Sequence, residues 1–207
     1  MVFALVSLAS TQTTKDAPGE PTTDPSVDQW SFSVNISGYI VPHDRSYASP
    51  TFSADRKQLH FGARYNYEDK ETGSLWVGYN FEVGDKLAFR VTPMVGGVFG
   101  NTVGVAPGYL AGLTWRRVEL STEGEYVFDS KDRARSFFYS WMELTYSPVE
   151  WCRAGLVAQR TKAYHTDLDI QRGVLIGFSR KKVSFTTYVF NAGWTDPTVV
   201  LSLGFTF

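Results

Sequence analysis

Many hydrolases use a histidine paired with an aspartate for general acid–base catalysis. His165 precedes Asp167 and Asp169 in the segment YHTDLD, and His43 precedes Asp44 in PHDR. Both residue types are also common in polar loops, and the chain contains no HExxH, P-loop, GxGxxG or GxSxG motif. We therefore assign no catalytic residue, and His165 remains the centre of an alternative hydrolase hypothesis.

The sequence contains no motif that indicates a metal or cofactor site. Cys152 is its single cysteine, which excludes an intrachain disulfide and a thiolate metal cluster. The three histidines are far apart, and none shows the spacing of a metal ligand set. We expect no cofactor and no metal, and we expect Cys152 to act as a small hydrophobic residue. A net charge of −1 does not favour nucleic-acid binding.

The composition combines many aromatic rings with modest hydrophobicity. Aromatic residues make up 15% of the 207 residues, yet the mean hydropathy is −0.18. A transmembrane helix needs roughly 18 or more consecutive apolar residues, and no such run is present. A disordered chain would be poor in aromatic residues. The composition therefore excludes a helical membrane protein and a wholly disordered chain.

Apolar and polar residues alternate with period two from Trp30 onward. The clearest example is the last segment, where Val199, Leu201, Leu203, Phe205 and Phe207 occupy every second position. The segments 59–68, 75–83 and 118–129 repeat this alternation. Period two is typical of β-strands with one apolar face. It is the same in a soluble barrel, whose apolar face points inward, and in a transmembrane barrel, whose apolar face points to lipid.

Turn spacing favours the transmembrane barrel. Short turns are predicted at 54–57, 84–86, 116–117, 147–150 and 179–182, with centres roughly 30 residues apart. Such an interval holds two strands of about 10 residues and one longer loop, as in membrane barrels. Twelve strands are predicted: 30–41, 46–53, 57–68, 74–83, 87–97, 106–115, 118–128, 136–146, 150–162, 171–179, 183–191 and 198–207. Because Pro50 lies in the weak segment 46–53, ten strands remain an alternative.

Aromatic residues cluster at the predicted strand ends, as they do at membrane interfaces. Beside the short turns lie Trp115, Tyr146, Trp151 and Phe207, and near the longer loops lie Tyr67, Phe128, Phe137, Phe138, Tyr164, Phe190 and Trp194. The outer loops, including 98–105 and 129–135, are expected to stay below 20 residues. Short loops leave little surface for a receptor or an adhesin.

The C-terminal segment resembles that of the bacterial outer-membrane β-barrel superfamily, which includes the porins. Those proteins end on phenylalanine with hydrophobic residues at every second preceding position, a pattern that 199–207 matches. Ser202 stands where the superfamily often has glycine. The resemblance covers the architecture of roughly residues 30–207 and implies a Gram-negative-type outer membrane. It also implies that Phe205 and Phe207 are read by the barrel-assembly machinery.

The chain before the barrel is expected to be an export segment and a tether. Residues 1–10 are apolar and end in small residues suited to cleavage, which predicts the remnant of a signal peptide. Residues 11–29 are rich in threonine, proline and acidic residues and predict a disordered tether. The barrel is then predicted to occupy 30–207.

If the apolar face meets lipid, the charged residues of the strands must face the lumen. The predicted lumen-lining candidates are Arg64, Glu68, Glu82, Arg90, Glu119, Glu123, Glu125 and Glu143. They could line a water-filled path that favours cations, or they could pair across the lumen and close it. The first function hypothesis is a passive pore or transport-related channel. The alternatives are a non-conducting structural or partner-docking barrel, the membrane-embedded hydrolase centred on His165, and a soluble ligand-binding barrel. Lipid and the assembly machinery are the expected partners, and the oligomeric state stays open.

Overall fold

A computed structural model describes residues 29–160, 170–193 and 197–207. The export segment, nearly all of the tether and the His165 cluster therefore lie outside the described residues. The strands are β1 (Ser31–Ile40), β2 (Tyr47–Arg56), β3 (Leu59–Tyr65), β4 (Thr72–Tyr79), β5 (Phe81–Val83), β6 (Leu87–Gly100), β7 (Gly104–Trp115), β8 (Val118–Asp129), β9 (Phe137–Val149), β10 (Cys152–Arg160), β11 (Gln171–Arg180), β12 (Val183–Phe190) and β13 (Thr198–Thr206). A single 3₁₀ turn, Arg133–Arg135, is the one helical element of these ranges. None of the described residues forms a helix long and apolar enough to cross a bilayer.

Apart from β4 and β5, every strand pairs antiparallel with its neighbours in the sequence, and the sheet closes on itself. The closing seam joins β1 to β13, with Ile36 opposite Leu203. The backbone of Phe207 extends the seam by exchanging hydrogen bonds with Phe32. Because β4 and β5 both pair with β6, they form one interrupted strand of the wall. The fold is thus the predicted up-and-down antiparallel barrel of twelve strands.

The twelve-strand count depends on β2, the segment that contains Pro50. This strand pairs with β1 along Ser31–Tyr39 and with β3 from Thr51 onward. Proline cannot donate a ladder hydrogen bond and is tolerated where no such bond is required. Pro50 precedes the first residue that pairs with β3, which is where a missing N–H does least damage. The ten-strand alternative is therefore wrong.

A second proline explains why β4 and β5 are separate. The pairing of β4 with β6 ends at Gly78 opposite Met94, and the pairing of β5 begins at Phe81 opposite Val91. Pro93 lies between these two partner positions, so the ladder lacks a donor there. The backbone N–H of Asn80 donates instead to the carbonyl of Gln58, at 2.6 Å.

The two faces of the wall differ sharply in chemistry. Large apolar side chains are exposed on the outer face along the whole barrel; Leu156, in the middle of β10, is 59% exposed. The inner face carries buried polar and charged groups, among them Asn35, Ser37, Arg64, Ser74, Glu123, Glu125, Glu143, Gln159, Thr186 and Ser202. This is the reverse of a soluble barrel, in which the apolar face fills the interior.

The aromatic bands are only partly where the sequence predicts them. Beside the short turns, Trp115, Tyr146, Trp151 and Phe207 are all exposed on the outside. At the long-loop end, Phe128 and Phe138 are exposed, but Tyr67 and Phe190 are buried inside and Phe137 packs against the core. Their places in the outer band are taken by Tyr65, Phe99 and Tyr126. Tyr164 and Trp194 lie outside the described residues. Position near a strand end therefore does not tell on which face of the wall a ring lies.

The loops at the two ends differ in length as expected, with one correction. Turns of two or three residues join the strands at the end that also holds Ser31 and Phe207, and this end is called the short-turn end. The predicted loop 98–105 is instead mostly strand, because β6 continues to Gly100 and β7 starts at Gly104. Residues 130–136 do form a loop, in which Asp132 caps the 3₁₀ turn.

Two interior glycines give a packing prediction. A Cβ added to Gly96 would lie 2.5 Å from the buried Trp76 ring, whereas a Cβ added to Gly112 would meet no heavy atom within 4 Å. We expect Gly96→Ala to lower the free energy of unfolding by about 1–3 kcal/mol, because the ring must move. Gly112→Ala is expected to be neutral or to raise it by about 0.4–1 kcal/mol. Urea unfolding of the barrel in detergent micelles checks both, and equal effects would contradict the packing.

Candidate functional site: charged networks inside the barrel

The first interior network is centred on Arg64, which β3 directs inward. Its guanidinium lies 2.9 Å from a carboxylate oxygen of Glu125 on β8. Two further carboxylates, of Glu68 and Glu123, lie 3.8 and 3.9 Å from it. The network thus joins strands that are not neighbours in the wall, because β4, β6 and β7 lie between β3 and β8.

Aromatic rings complete the surroundings of Arg64. Its guanidinium lies over the rings of Tyr67 and Trp76, at 4.6 and 4.8 Å from their centroids. The hydroxyls of Tyr67 and Tyr139 both donate to Glu123. The indole N–H of Trp76 donates to Glu68 at 3.3 Å. Cation–π contacts and phenol donors stabilise charge that is buried away from water.

Negative charge exceeds positive charge in this network. Glu68, Glu123 and Glu125 face one arginine, and all three are at most 3% exposed. One oxygen of each carboxylate has no hydrogen-bond partner: Oε2 of Glu68, Oε2 of Glu123 and Oε1 of Glu125. Buried carboxylates are costly unless they are paired, so Arg64 is the group on which the whole cluster depends.

The second network is centred on Glu143 of β9. Its carboxylate accepts hydrogen bonds from Arg153 at 2.7 Å, from the indole of Trp141 at 2.9 Å and from the hydroxyl of Tyr188 at 3.0 Å. Arg153 also donates to Thr186 at 3.2 Å. In contrast to the Arg64 network, this network has one acid for one base, and both oxygens of its carboxylate have donors.

Aromatic side chains fill the interior next to these networks, toward the long loops. Trp141 meets Tyr188 and Phe190 edge to face, with ring centroids 5.1 and 5.4 Å apart. Tyr67 and Tyr139 pack together at 5.1 Å. These five rings are all buried, so side chains occupy the barrel interior at this level.

The predicted lumen candidates therefore fall into three groups. Arg64, Glu68, Glu123, Glu125 and Glu143 are buried members of the two networks. Glu119 is half-buried on the inner face of β8. Glu82 and Arg90 are solvent-accessible near the short-turn end, where they pair with each other at 3.4 Å. The sequence predicts Glu68 at the end of the strand 57–68, but β3 ends at Tyr65 and Glu68 lies in the loop that follows.

Two interior features escaped the sequence reasoning. Arg153 lies on the inner face of β10, in phase with Val157 and Gln159, and it stands opposite a β-bulge in β9. Because the inner positions of β10 mix apolar and polar residues, the sequence does not assign Arg153 to a face. Near the short-turn end, the buried His60 ring contacts Asp55 at 2.8 Å, and the amide of Asn80 donates to the same carboxylate oxygen. His60 lies at a polar position of β3, but nothing in the sequence pairs it with Asp55.

The charged side chains of the described interior are mostly paired with one another. Within the described ranges, no group of three or more His, Cys, Asp and Glu side chains could hold a metal ion. Cys152 is a half-buried free thiol. Asp44, from the second histidine–aspartate segment, forms an ion pair with Lys70 in the long loops.

Comparison with known proteins adds no assignment. No protein-family model matches the chain, and no curated protein matches it.

Proposed function

We propose that this barrel spans the outer membrane of a Gram-negative-type bacterium. The proposal is supported by the apolar outer face, the polar inner face and the exposed rings beside the short turns. Most of its strands have 8–14 residues, which suits tilted membrane strands. The terminal pattern through Phe205 and Phe207 supports recognition by the barrel-assembly machinery.

We further propose that the barrel is closed to passive flux and acts as a structural or partner-docking protein of the membrane. The observation that carries this proposal is the burial of side chains that point inward. Glu68, Glu143, Tyr139 and Tyr188 have at most 2% of their surface accessible to water. In a water-filled pore, lumen-lining groups at this level would be accessible.

A pore that opens when the networks rearrange is the second candidate. It is favoured by the unequal charges around Arg64, where three carboxylates face one cation. Once hydrated, such a lumen would select cations. It would do so because the negative charges of Glu123 and Glu125 are not fully balanced by Arg64.

Planar-bilayer recording tests the two candidates. We expect the reconstituted wild-type barrel to show no steady conductance steps across a wide voltage range. The double variant Tyr139→Ala/Trp141→Ala removes two interior rings and is expected to conduct, which serves as the control that insertion into the bilayer succeeded. Regular cation-selective steps of the wild type would contradict a closed barrel, and loss of that selectivity in Glu123→Gln/Glu125→Gln would support the pore.

A further inference from the structure

We propose that the short-turn end carries a binding site for an anionic glycerophospholipid, on the outer face of β10, β11 and β12. The site would hold an acyl chain in an apolar groove and the phosphate-bearing headgroup against Arg180 and Lys182. This inference rests on the proposed membrane location.

The apolar part is a groove of about 440 Å³ on the outer face of the wall at the short-turn end. It is lined by Trp151, Phe178, Val183 and Phe185, which are all exposed. Trp151 and Phe178 stack with ring centroids 6.2 Å apart, and Phe178 lies opposite Phe185 in the β11–β12 ladder. The rings therefore line the sides of an open apolar groove, against which a hydrocarbon chain could pack.

The charged part lies at the end of the same groove. Arg180 also lines it and stands two residues after Phe178 on β11, so both side chains point outward. Lys181 and Lys182 form the exposed turn that follows. Among the described residues, no acidic side chain pairs with Arg180, Lys181 or Lys182. These cations are thus available to an anion at the level of the membrane interface.

The charge of the two barrel ends favours an anionic ligand at this end only. The turns between strands at the short-turn end contain six basic and two acidic residues, for a net charge of +4. The four described long loops (41–46, 66–71, 101–103 and 130–136) contain five of each and have no net charge. Basic residues clustered at a membrane surface attract anionic lipids.

The combination of groove and cations selects a lipid rather than a soluble anion, which has no apolar part to fill the groove. Short turns of outer-membrane barrels face the periplasm. That side of the membrane is the phospholipid leaflet, so a glycerophospholipid is the occupant to which we commit. Lipid A, whose headgroup also carries phosphate, is the competing occupant that the experiment must separate.

Native mass spectrometry of the full-length barrel in detergent tests the site. The lipids are phosphatidylglycerol, phosphatidylcholine with the same acyl chains, and lipid A. We expect the wild type to retain phosphatidylglycerol in preference to both others. Arg180→Gln/Lys182→Gln should weaken this retention by about fivefold for each cation removed, as expected for roughly 1 kcal/mol per charge. The matched control Lys131→Gln/Arg133→Gln removes the same charge from the long-loop end and should leave retention unchanged.

The groove is tested separately from the charge. Phe185→Ala removes one wall and should reduce phosphatidylglycerol retention, whereas Phe128→Ala, an exposed ring at the long-loop end, should not. Equal retention of phosphatidylglycerol and phosphatidylcholine by the wild type would overturn the inference, as would a preference for lipid A or unchanged retention in Arg180→Gln/Lys182→Gln. Each variant is first checked for folding by its heat-modifiable migration. A barrel that folds into vesicles without this lipid preference contradicts only the site, whereas one that fails to fold into any bilayer contradicts the membrane location.

Discussion

Replacing Arg64 with methionine is expected to lower the free energy of unfolding by about 3–5 kcal/mol, as when one partner of a buried ion pair is removed. The substitution keeps much of the volume of the side chain but removes its charge. Glu68, Glu123 and Glu125 would then be buried without a cation, and each already has one oxygen without a donor. The cation–π contacts with Tyr67 and Trp76 would disappear as well.

A matched control separates this effect from the loss of any arginine. Arg90→Met breaks the ion pair with Glu82, in which the two side chains are 43% and 54% exposed. An exposed pair contributes about 0–1 kcal/mol, so this variant should unfold nearly as the wild type does. Urea titration of both variants in bilayers gives the comparison. If Arg64→Met and Arg90→Met lost equal stability, the Arg64 network would not be the buried cluster described above.

The second large effect is expected on the outer face. Leu156→Arg places a charge in the middle of β10, where the side chain points away from the interior. In a bilayer this should cost about 2–4 kcal/mol, since the charge would lie near the bilayer midplane. In water the same change at an exposed position should alter stability by no more than about 0.5 kcal/mol. The substitution therefore reports directly on what the apolar face contacts.

Val149→Arg is the matched control, because Val149 is also exposed but lies beside the short turn after β9. A charge there can reach the interface, so the expected cost is about 0–1 kcal/mol. Unfolding from phospholipid vesicles measures both variants against the wild type. Equal and small effects at the two positions would contradict a membrane-spanning barrel and would favour the soluble alternative.

Much of the wall could be predicted from local patterns. Period-two alternation depends only on the geometry of a strand, so it assigned Leu201 and Leu203 to one face and Ser202 to the other. Turn signals recurred regularly enough to predict twelve strands. The tolerance of Pro50 was harder to foresee, since it depends on where pairing with β3 begins. The inward position of Arg153 was also hard to foresee, because the inner positions of β10 include the apolar Val157 as well as Gln159.

The candidate site required the closed barrel. Arg64 and Glu125 are distant in sequence, and their contact arises because β3 and β8 lie across the same narrow interior. Local periodicity carries no information on barrel radius, so it could suggest charges inside but could not tell whether they pair. It also could not distinguish outward rings from inward ones such as Tyr67 and Phe190.

By itself, the sequence determined the strands, their two-faced character and the terminal pattern that ends on Phe207, because these depend on spacing along a single chain. Only the tertiary structure decided that the polar face is the inner one and that Arg64 meets three carboxylates. Only the tertiary structure showed that aromatic rings fill the interior next to the two charged networks. The physical reason is that burial, ion pairing and closure are properties of strands brought together, and one repeating pattern is compatible with either face being inside.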